Sequence, residues 1–437
     1  MDFTMQVALI MLPVFFLLLF MGVPISISIG ISSALSAMVI IEPEQMAFQG
    51  VQKMFGGINS FGMLAVPFFM LAGNIMNRGG IAKRLINLAL LMGGRLPGAL
   101  AMANVQGNML FGTLSGSAMA CCAAIGGTMS PIQKEKGYDK GFSTAVNIAS
   151  APTGLLIPPS GMLVLFSLIS GGTSVAALFM AGWIPGLLWG IAVMLVAYYF
   201  AKRDNLPVEN SPETLSQVLK IIADAVPSLF LIVIVIGGIV GGAFTATEGA
   251  AIAVVYSLIL ALVYKTLTRK VLIDVVMDTA LMTGIILFLI AASSIMSWVM
   301  AFSQIPQMIS DLLLSITDNK IILLLVINIV LLIVGVFMDA TPAVLIFTPI
   351  LMPICVNQFG MDPVHFGLMI IFNLGIGSIT PPVGSVLFVG CAVGDVSIER
   401  ATPYLVPMFF AILVVLAMVT YIPAVSMFIP ELFGLVK

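Results

Sequence analysis

Long apolar runs of about 20 residues alternate with short polar segments along the chain. Runs of that length predict membrane-spanning helices, because a barrel strand would alternate every second residue. Candidate spans fall at 5–22, 24–41, 61–77, 141–169, 176–201, 226–243, 247–264, 279–301, 365–393 and 403–430. Two further apolar stretches, 97–130 and 321–354, are too long for one helix, and each breaks near its middle. The first break reads Gly112-Thr113-Leu114-Ser115-Gly116-Ser117, the second Asp339-Ala340-Thr341-Pro342. Both stretches predict re-entrant hairpins, which enter the bilayer and return to the side they left. Irregular backbone at that depth has to be buried in protein or line a watery cavity.

The chain also contains itself twice. Phe111–Gly171 and Val334–Gly394 match at one constant spacing, which pairs Gly112 with Gly335, Gly137 with Gly360 and Asp139 with Asp362. The same spacing sets Pro158-Pro159-Ser160-Gly161 against Pro381-Pro382-Val383-Gly384, and Gly171 against Gly394. One gap later, Pro185 pairs with Pro407. The matching residues are mostly glycines and prolines, which fix unusual backbone geometry. Paired interruptions of apolar segments, one per half, point to the binding site of a secondary transporter.

Charge adds orientation. With these spans, one side receives Arg78, Lys83, Arg84, Arg95, Lys134, Lys136, Lys140, Lys202, Arg203, Lys220, Lys265, Arg269, Lys270 and Arg400. The other receives only Lys53, Lys320 and Lys437, so the first side is cytoplasmic. The loop after the first hairpin, 133–140, lies on the positive side, whereas its equivalent, 356–363, has no positive charge. Equivalent loops therefore face opposite compartments, and the halves are related by inversion in the membrane plane. The expected organisation is a first repeat at 1–201, with hairpin 97–130 and broken helix 141–169. A cytoplasmic connector follows at 202–225, its polar part at 202–220 carrying Pro207, Pro212 and Glu213. The second repeat is 226–437, with hairpin 321–354 and broken helix 365–393. The fold class is an all-α polytopic membrane protein.

Composition narrows the classes. Hydrophobic residues are 60% of the chain and charged residues only 8%, against roughly 25% charged in soluble domains. A net charge of −2 predicts no nucleic-acid role. Cys121, Cys122, Cys355 and Cys391 lie in apolar surroundings without zinc spacing and read as small buried hydrophobes. Met1–Phe20 lacks a basic start and a small-residue cleavage site, and reads as a retained first helix. No stretch reads as a soluble domain, so capture of solute outside the membrane is expected from another protein.

The chemistry concentrates at the breaks. Asn147–Gly154 precedes the first Pro-Pro and Asn373–Thr380 the second. Proline removes a donor and glycine lets the backbone unwind, freeing carbonyls that are hard oxygen donors. With Ser and Thr hydroxyls they suit Na⁺, while exposed helix N-termini suit an anionic substrate. Each hairpin tip is expected to face its neighbouring broken helix, giving one cation site per half with substrate between. The competing reading is that Pro and Gly serve packing and the hydroxyls bond back to their own helix.

Asp339 is the one ionisable residue between Lys320 and Asp362. A charge at membrane depth costs ~2.5–3.5 kcal/mol on insertion scales and marks function by default. Its repeat equivalent is Gly116, so the two sites differ chemically. Asp339 could offset a cation, accept hydrogen bonds from substrate, or cap the helix starting at Thr341-Pro342. Glu248, Asp274 and Asp278 read as helix-start residues, and His365 as part of an outer loop. Two of Trp183, Trp189 and Trp298 read as interface anchors. A single histidine and no nucleotide loop leave no catalytic triad, zinc centre or ATP site.

On Phe111–Ser117, Ile157-Pro158-Pro159-Ser160, Asp339–Pro342 and Ile379–Gly384, the chain resembles the large membrane subunit of tripartite ATP-independent periplasmic (TRAP) transporters over essentially its full length. The resemblance implies an elevator-type ion-transporter fold in the bacterial inner membrane, with a scaffold and a mobile domain holding both hairpins. It implies Na⁺-driven uptake and two partners besides lipid: a small four-helix membrane subunit and a secreted periplasmic substrate-binding protein. In some relatives the small subunit is fused to the large one; here it is expected as a separate chain. Family substrates are mostly carboxylates, including C4-dicarboxylates and sialic acid, with the sialic acid branch nearer. Carried over, the first Na⁺ site uses Ser115, Gly116, Ser117, Ser150, Pro152, Thr153 and Gly154. The second uses Asp339, Ala340, Thr341, Gly377, Ser378 and Thr380. Substrate is expected at Ser115, Ser117, Ser160 and Asp339. The rival readings are a stand-alone Na⁺- or H⁺-coupled anion transporter or exporter, and an intramembrane enzyme.

Overall fold

A computed structural model describes residues 3–93, 97–206, 214–316 and 319–436. Arg95, Pro207, Pro212, Glu213 and Lys437, with most of the polar connector, lie outside the described residues. The described chain is helical throughout. It begins with α1 (Phe3–Phe20), α2 (Ile25–Ala37), α3 (Pro43–Ile58), α4 (Ala65–Arg78) and α5 (Ile81–Gly93). The first hairpin is α6 (Ala99–Ser115) and α7 (Ala118–Glu135). The first broken helix is α8 (Lys140–Ser150), α9 (Thr153–Leu156) and α10 (Gly161–Ile169), followed by α11 (Val175–Arg203). Then come α12 (Leu215–Val240), α13 (Ala246–Val263), α14 (Arg269–Phe302) and α15 (Ile305–Ile316). The second hairpin is α16 (Lys320–Phe337) and α17 (Ala340–Pro353), with a π-helical turn at Ile354–Gln358. The second broken helix is α18 (Pro363–Gly377) and α19 (Ser385–Gly394), and α20 (Ile398–Tyr421) and α21 (Ala424–Leu432) close the chain.

Among the described residues, eight helices are long and apolar enough to cross a membrane, or ten if two bent pairs each count as one span. All backbone pairing is then local, as lipid demands. Hairpins and broken helices form the centre. Every residue of Gly141–Ser150 in α8 and of Val364–Gly377 in α18 is buried. A helix apolar on all sides belongs inside a bundle. Around this centre, α4 packs on α13, and α14 packs on α2, α3 and α4. These outer helices present bare apolar side chains such as Phe48, Val255 and Leu281, suited to lipid.

Several sequence expectations need correction. Helices α3, α5 and α15 occupy segments where no span is predicted. Their apolar residues recur at helical spacing among Gln, Lys and Arg, so no continuous run announces them. The chain bends by 61° between Pro43–Ile58 and Phe61–Arg78. The connector is shorter than 202–225: α11 extends to Arg203, and α12 starts at Leu215 behind a Thr214–Gln217 capping box. The span expected at 279–301 is a helix of 34 residues from Arg269. Asp274 and Asp278 therefore lie inside it rather than at its start, and both bind the Arg78 guanidinium across the α4–α14 contact, Asp274 at 3.1 Å. Span 403–430 divides at Ile422-Pro423 into α20 and α21. His365 lies in the first turn of α18 rather than in a loop; it is buried, with Nε2 2.7 Å from the Val419 carbonyl. Of the three tryptophans, Trp189 is the one fully buried on an interior packing face.

The capping expectations at Glu248 and Asp339 do hold. Glu248 closes a capping box with Thr245. Asp139 and Asp362, equivalent in the repeat, both cap broken helices, accepting from Phe142 N–H and Val364 N–H. Asp139 also meets Arg400 at 2.8 Å, and Lys140 meets Asp395 at 3.0 Å. Partial burial alone would raise the Asp139 carboxyl; the Arg400 guanidinium and the Phe142 N–H outweigh it and hold the group below the usual carboxylate range. These pairs fasten the start of α8 to the turn between α19 and α20.

Candidate functional site: two tip-and-break cradles

Each hairpin tip touches the break of its own half. In the first half, a Cβ placed on Gly112 would sit 2.5 Å from the Gly154 Cα. In the second, a Cβ on Gly377 would sit 2.4 Å from the Gly335 Cα. These two contacts join the same repeat positions, and only glycine allows backbones so close. At the first tip, Gly116 takes the left-handed conformation (φ 61°) and lies against Gly161 N, where a Cβ would be 2.9 Å away. At the second, Gly384 N–H donates to the Val336 carbonyl across the same gap at 3.0 Å. Both Pro158–Pro159 and Pro381–Pro382 bonds are cis.

Asparagines brace both junctions. Asn108 on α6 donates to Asn147 Oδ1 (3.1 Å) and Ser150 Oγ (2.8 Å) on α8. Asn373 on α18 donates to Asn328 Oδ1 on α16 at 2.8 Å, and Asn328 donates to Thr420 Oγ1 at 3.0 Å. Trp189 donates its indole N–H to the Ala149 carbonyl at 2.7 Å, satisfying an acceptor in the turn before the first break. The two breaks also meet each other: a Cβ on Gly375 would lie 3.5 Å from Pro152 Cβ.

The predicted site residues sort into three kinds. Ser150, Thr153, Ser378 and Thr380 donate their hydroxyl protons to carbonyls of their own helix: Val146, Ser150, Gly375 and Ile376, each at 2.7–2.8 Å. That is the back-bonding alternative, yet it does not exclude a cation, because a hydroxyl that donates its proton keeps lone pairs for coordination. The Ser378 carbonyl accepts from Val386 N–H (3.0 Å) and so faces the start of α19. Pro152, Gly154, Ala340 and Gly377 are buried backbone positions of the breaks and of the second tip.

The tips themselves are less enclosed. Ser115, Gly116, Ser117, Asp339 and Thr341 are all partly exposed. Ser117 caps α7, accepting from Ala120 N–H, and Ser115 Oγ lies 3.0 Å from Cys121 Sγ. Asp339 caps α17 through Thr341 N–H at 3.5 Å. Its other oxygen accepts from Ser385 Oγ at 3.0 Å, tying the acidic tip to α19. Ser160 differs from them: fully buried, it donates to the Leu155 carbonyl at 2.7 Å inside its own break. The structure thus joins Ser115–Ser117 with Ser160–Gly161, and Asp339 with Ser385. Sequence reasoning missed Ser385, Asn108 and Asn328, because the signal for each is a partner supplied by a different helix.

Residues 12–425 match the model of the tripartite ATP-independent periplasmic transporter family, DctM component. The chain belongs to that family. The protein YgiK of Salmonella typhimurium is 51% identical over 96% of both chains. The isethionate TRAP transporter permease DctMQ of Oleidesulfovibrio alaskensis is 40% identical over 95% of this chain and 66% of that protein. The sialic acid TRAP large permease SiaM of Vibrio cholerae is 38% identical over 95% of this chain and 96% of that one. The YdaH transporter of Alcanivorax borkumensis shares the fold, with a TM-score of 0.64 over 87% of this chain at 14% identity. A DctM-family protein is a multi-pass membrane permease and not an enzyme, and its role here is organic acid uptake.

Proposed function

We propose that this chain is the Na⁺-coupled core of a tripartite uptake system for an organic acid anion. The observation that carries the proposal is the repetition of one contact, hairpin tip against helix break through paired glycines, in both halves. Each junction gathers hydroxyls and backbone carbonyls of the sort that replace the hydration shell of Na⁺. One Na⁺ sits at Ser115–Ser117 with Ser150–Gly154, the other at Asp339–Thr341 with Gly377–Thr380. The anionic group of the substrate lies between the tips, near Ser115, Ser117 and Asp339, balanced by the two cations. Ser160 supports that site from within the break. The acids named for the relatives, sialic acid and isethionate, each pair an anionic group with hydroxyls. An organic acid anion of the sialic acid or C4-dicarboxylate class is the expected substrate.

In this reading the halves are inverted repeats, with re-entrant hairpins entering from opposite faces. Hairpins and broken helices slide as one body against α1–α5 and α12–α15 in an elevator motion. A small four-helix membrane subunit enlarges the scaffold, and a periplasmic binding protein delivers substrate.

Uptake into vesicles tests this. With the small subunit, the binding protein and labelled ligand, external Na⁺ should support uptake, and equimolar K⁺ should reduce it at least tenfold. Equal rates in Na⁺ and K⁺ would remove the coupling. Full-rate transport by this chain alone would favour the stand-alone transporter instead.

A further inference from the structure

The foot of the first hairpin holds a small cavity below the first cradle, with Asn147, one of the bracing asparagines, in its wall. It measures about 10 Å³ and lies among Asn104 on α6, Gln133 on α7, Ser143 on α8 and Gly394 on α19. That is room for one water molecule and for nothing larger. Asn104 is about a dozen residues before the tip at Gly116, roughly 18 Å along an α-helix.

Three lining side chains carry an orphaned atom: Asn104 Nδ2, Gln133 Oε1 and Ser143 Oγ. All three residues are at least nine-tenths buried. The other end of each amide is already committed, which fixes its orientation. Asn104 Oδ1 accepts from Asn108 at 3.1 Å, and Gln133 Nε2 donates to the Leu100 carbonyl at 3.1 Å. The cavity is therefore offered one N–H donor, one carbonyl acceptor and one hydroxyl that serves as either. Buried polar atoms are rarely left without a partner.

We propose that an ordered water molecule occupies this cavity and joins the foot of the hairpin to the broken helix. It accepts from Asn104 Nδ2 and donates to Gln133 Oε1 and Ser143 Oγ, the three bonds typical of a buried water. The donor set selects water over a cation, because the Asn104 amide nitrogen turns its hydrogens toward the occupant. The water links α6, α7 and α8, and α19 of the other half forms the remaining wall. The Asp139–Arg400 and Lys140–Asp395 pairs lie at the same end of α8. Tip contacts and foot contacts together make the hairpin and the broken helix one rigid piece.

Density maps of the purified chain in nanodiscs, at a resolution that shows waters, test the occupant. One peak within hydrogen-bond distance of Asn104, Gln133 and Ser143 is expected in both sodium chloride and choline chloride. An empty cavity, or a peak confined to sodium chloride, overturns the proposal. Ser143→Ala gives an independent reading through the sign of its effect on thermal unfolding. With the water present, the substitution strips one of its partners, and Tm should fall by about 1–2 °C. In a dry cavity it removes an orphaned hydroxyl from a helix that favours alanine, so an unchanged or higher Tm contradicts the water.

Discussion

Asp339→Asn should abolish Na⁺-driven uptake while leaving the protein folded and at normal abundance. The substitution separates two roles that the structure gives to one side chain. As a cap, Asp339 holds α17 through Thr341 N–H, and asparagine caps about as well as aspartate. Toward Ser385 Oγ it uses its other oxygen; in asparagine that position is an amide NH₂, which keeps the contact by donating to the serine hydroxyl. What asparagine cannot reproduce is the charge. A cation within ~4 Å of a carboxylate gains on the order of 4 kcal/mol at an effective dielectric of ~20. Losing about 3 kcal/mol of that corresponds to a loss of Na⁺ affinity on the order of a hundredfold. Uptake at saturating substrate should fall to background, and the Na⁺ dependence of any remaining rate should move to higher concentrations. Wild-type rates and Na⁺ affinity in this variant would reduce Asp339 to a helix cap.

Gly377→Ala should be among the most damaging single-methyl changes in the chain. The new Cβ would lie 2.4 Å from Gly335 Cα, 2.5 Å from its carbonyl carbon and 2.9 Å from its oxygen. All three are backbone atoms, which cannot swing aside as a side chain would. Overpacking in a well-packed core costs typically 1–3 kcal/mol, and a clash with backbone falls at the upper end or beyond. Gly112→Ala meets the same obstacle in the first half, 2.5 Å from Gly154 Cα. Both variants should lower the yield of folded protein and stop uptake. Gly127→Ala, where a Cβ meets nothing within 4 Å, should be neutral or slightly stabilising in its helix. Equal behaviour of all three in fluorescence-detected size exclusion and thermal unfolding would mean that the tips and breaks do not pack as described.

Much of this architecture was legible because glycine and proline record backbone geometry directly. Gly112, Gly154, Gly335 and Gly377 stand at the repeat spacing in the sequence and meet in pairs in space. The caps at Glu248 and Asp339 were readable for a related reason, since capping is settled within a few residues. What escaped the sequence depends on another helix. Ser385 is an ordinary serine until the start of α19 brings it to Asp339. Asp274 and Asp278 look like helix-start acids until α4 supplies Arg78 between them. Helices α3 and α5 escaped because their apolar residues alternate with polar ones at helical spacing and lack the continuous run that marks a span. His365 read as a loop residue because it stands at the very edge of the expected span 365–393; the helix start it occupies is buried.

The central claim is that the two halves enter the membrane from opposite faces, and it is tested most directly by sided labelling in whole cells. Lys136 and Asn357 are exposed residues in the equivalent loops after the two hairpins. The four native cysteines are buried, and burial keeps the background low. With a membrane-impermeant maleimide, Asn357→Cys should label from the periplasm, and Lys136→Cys only after the cells are opened. Labelling of both positions from the same compartment would contradict the inverted arrangement, and with it the paired cation cradles.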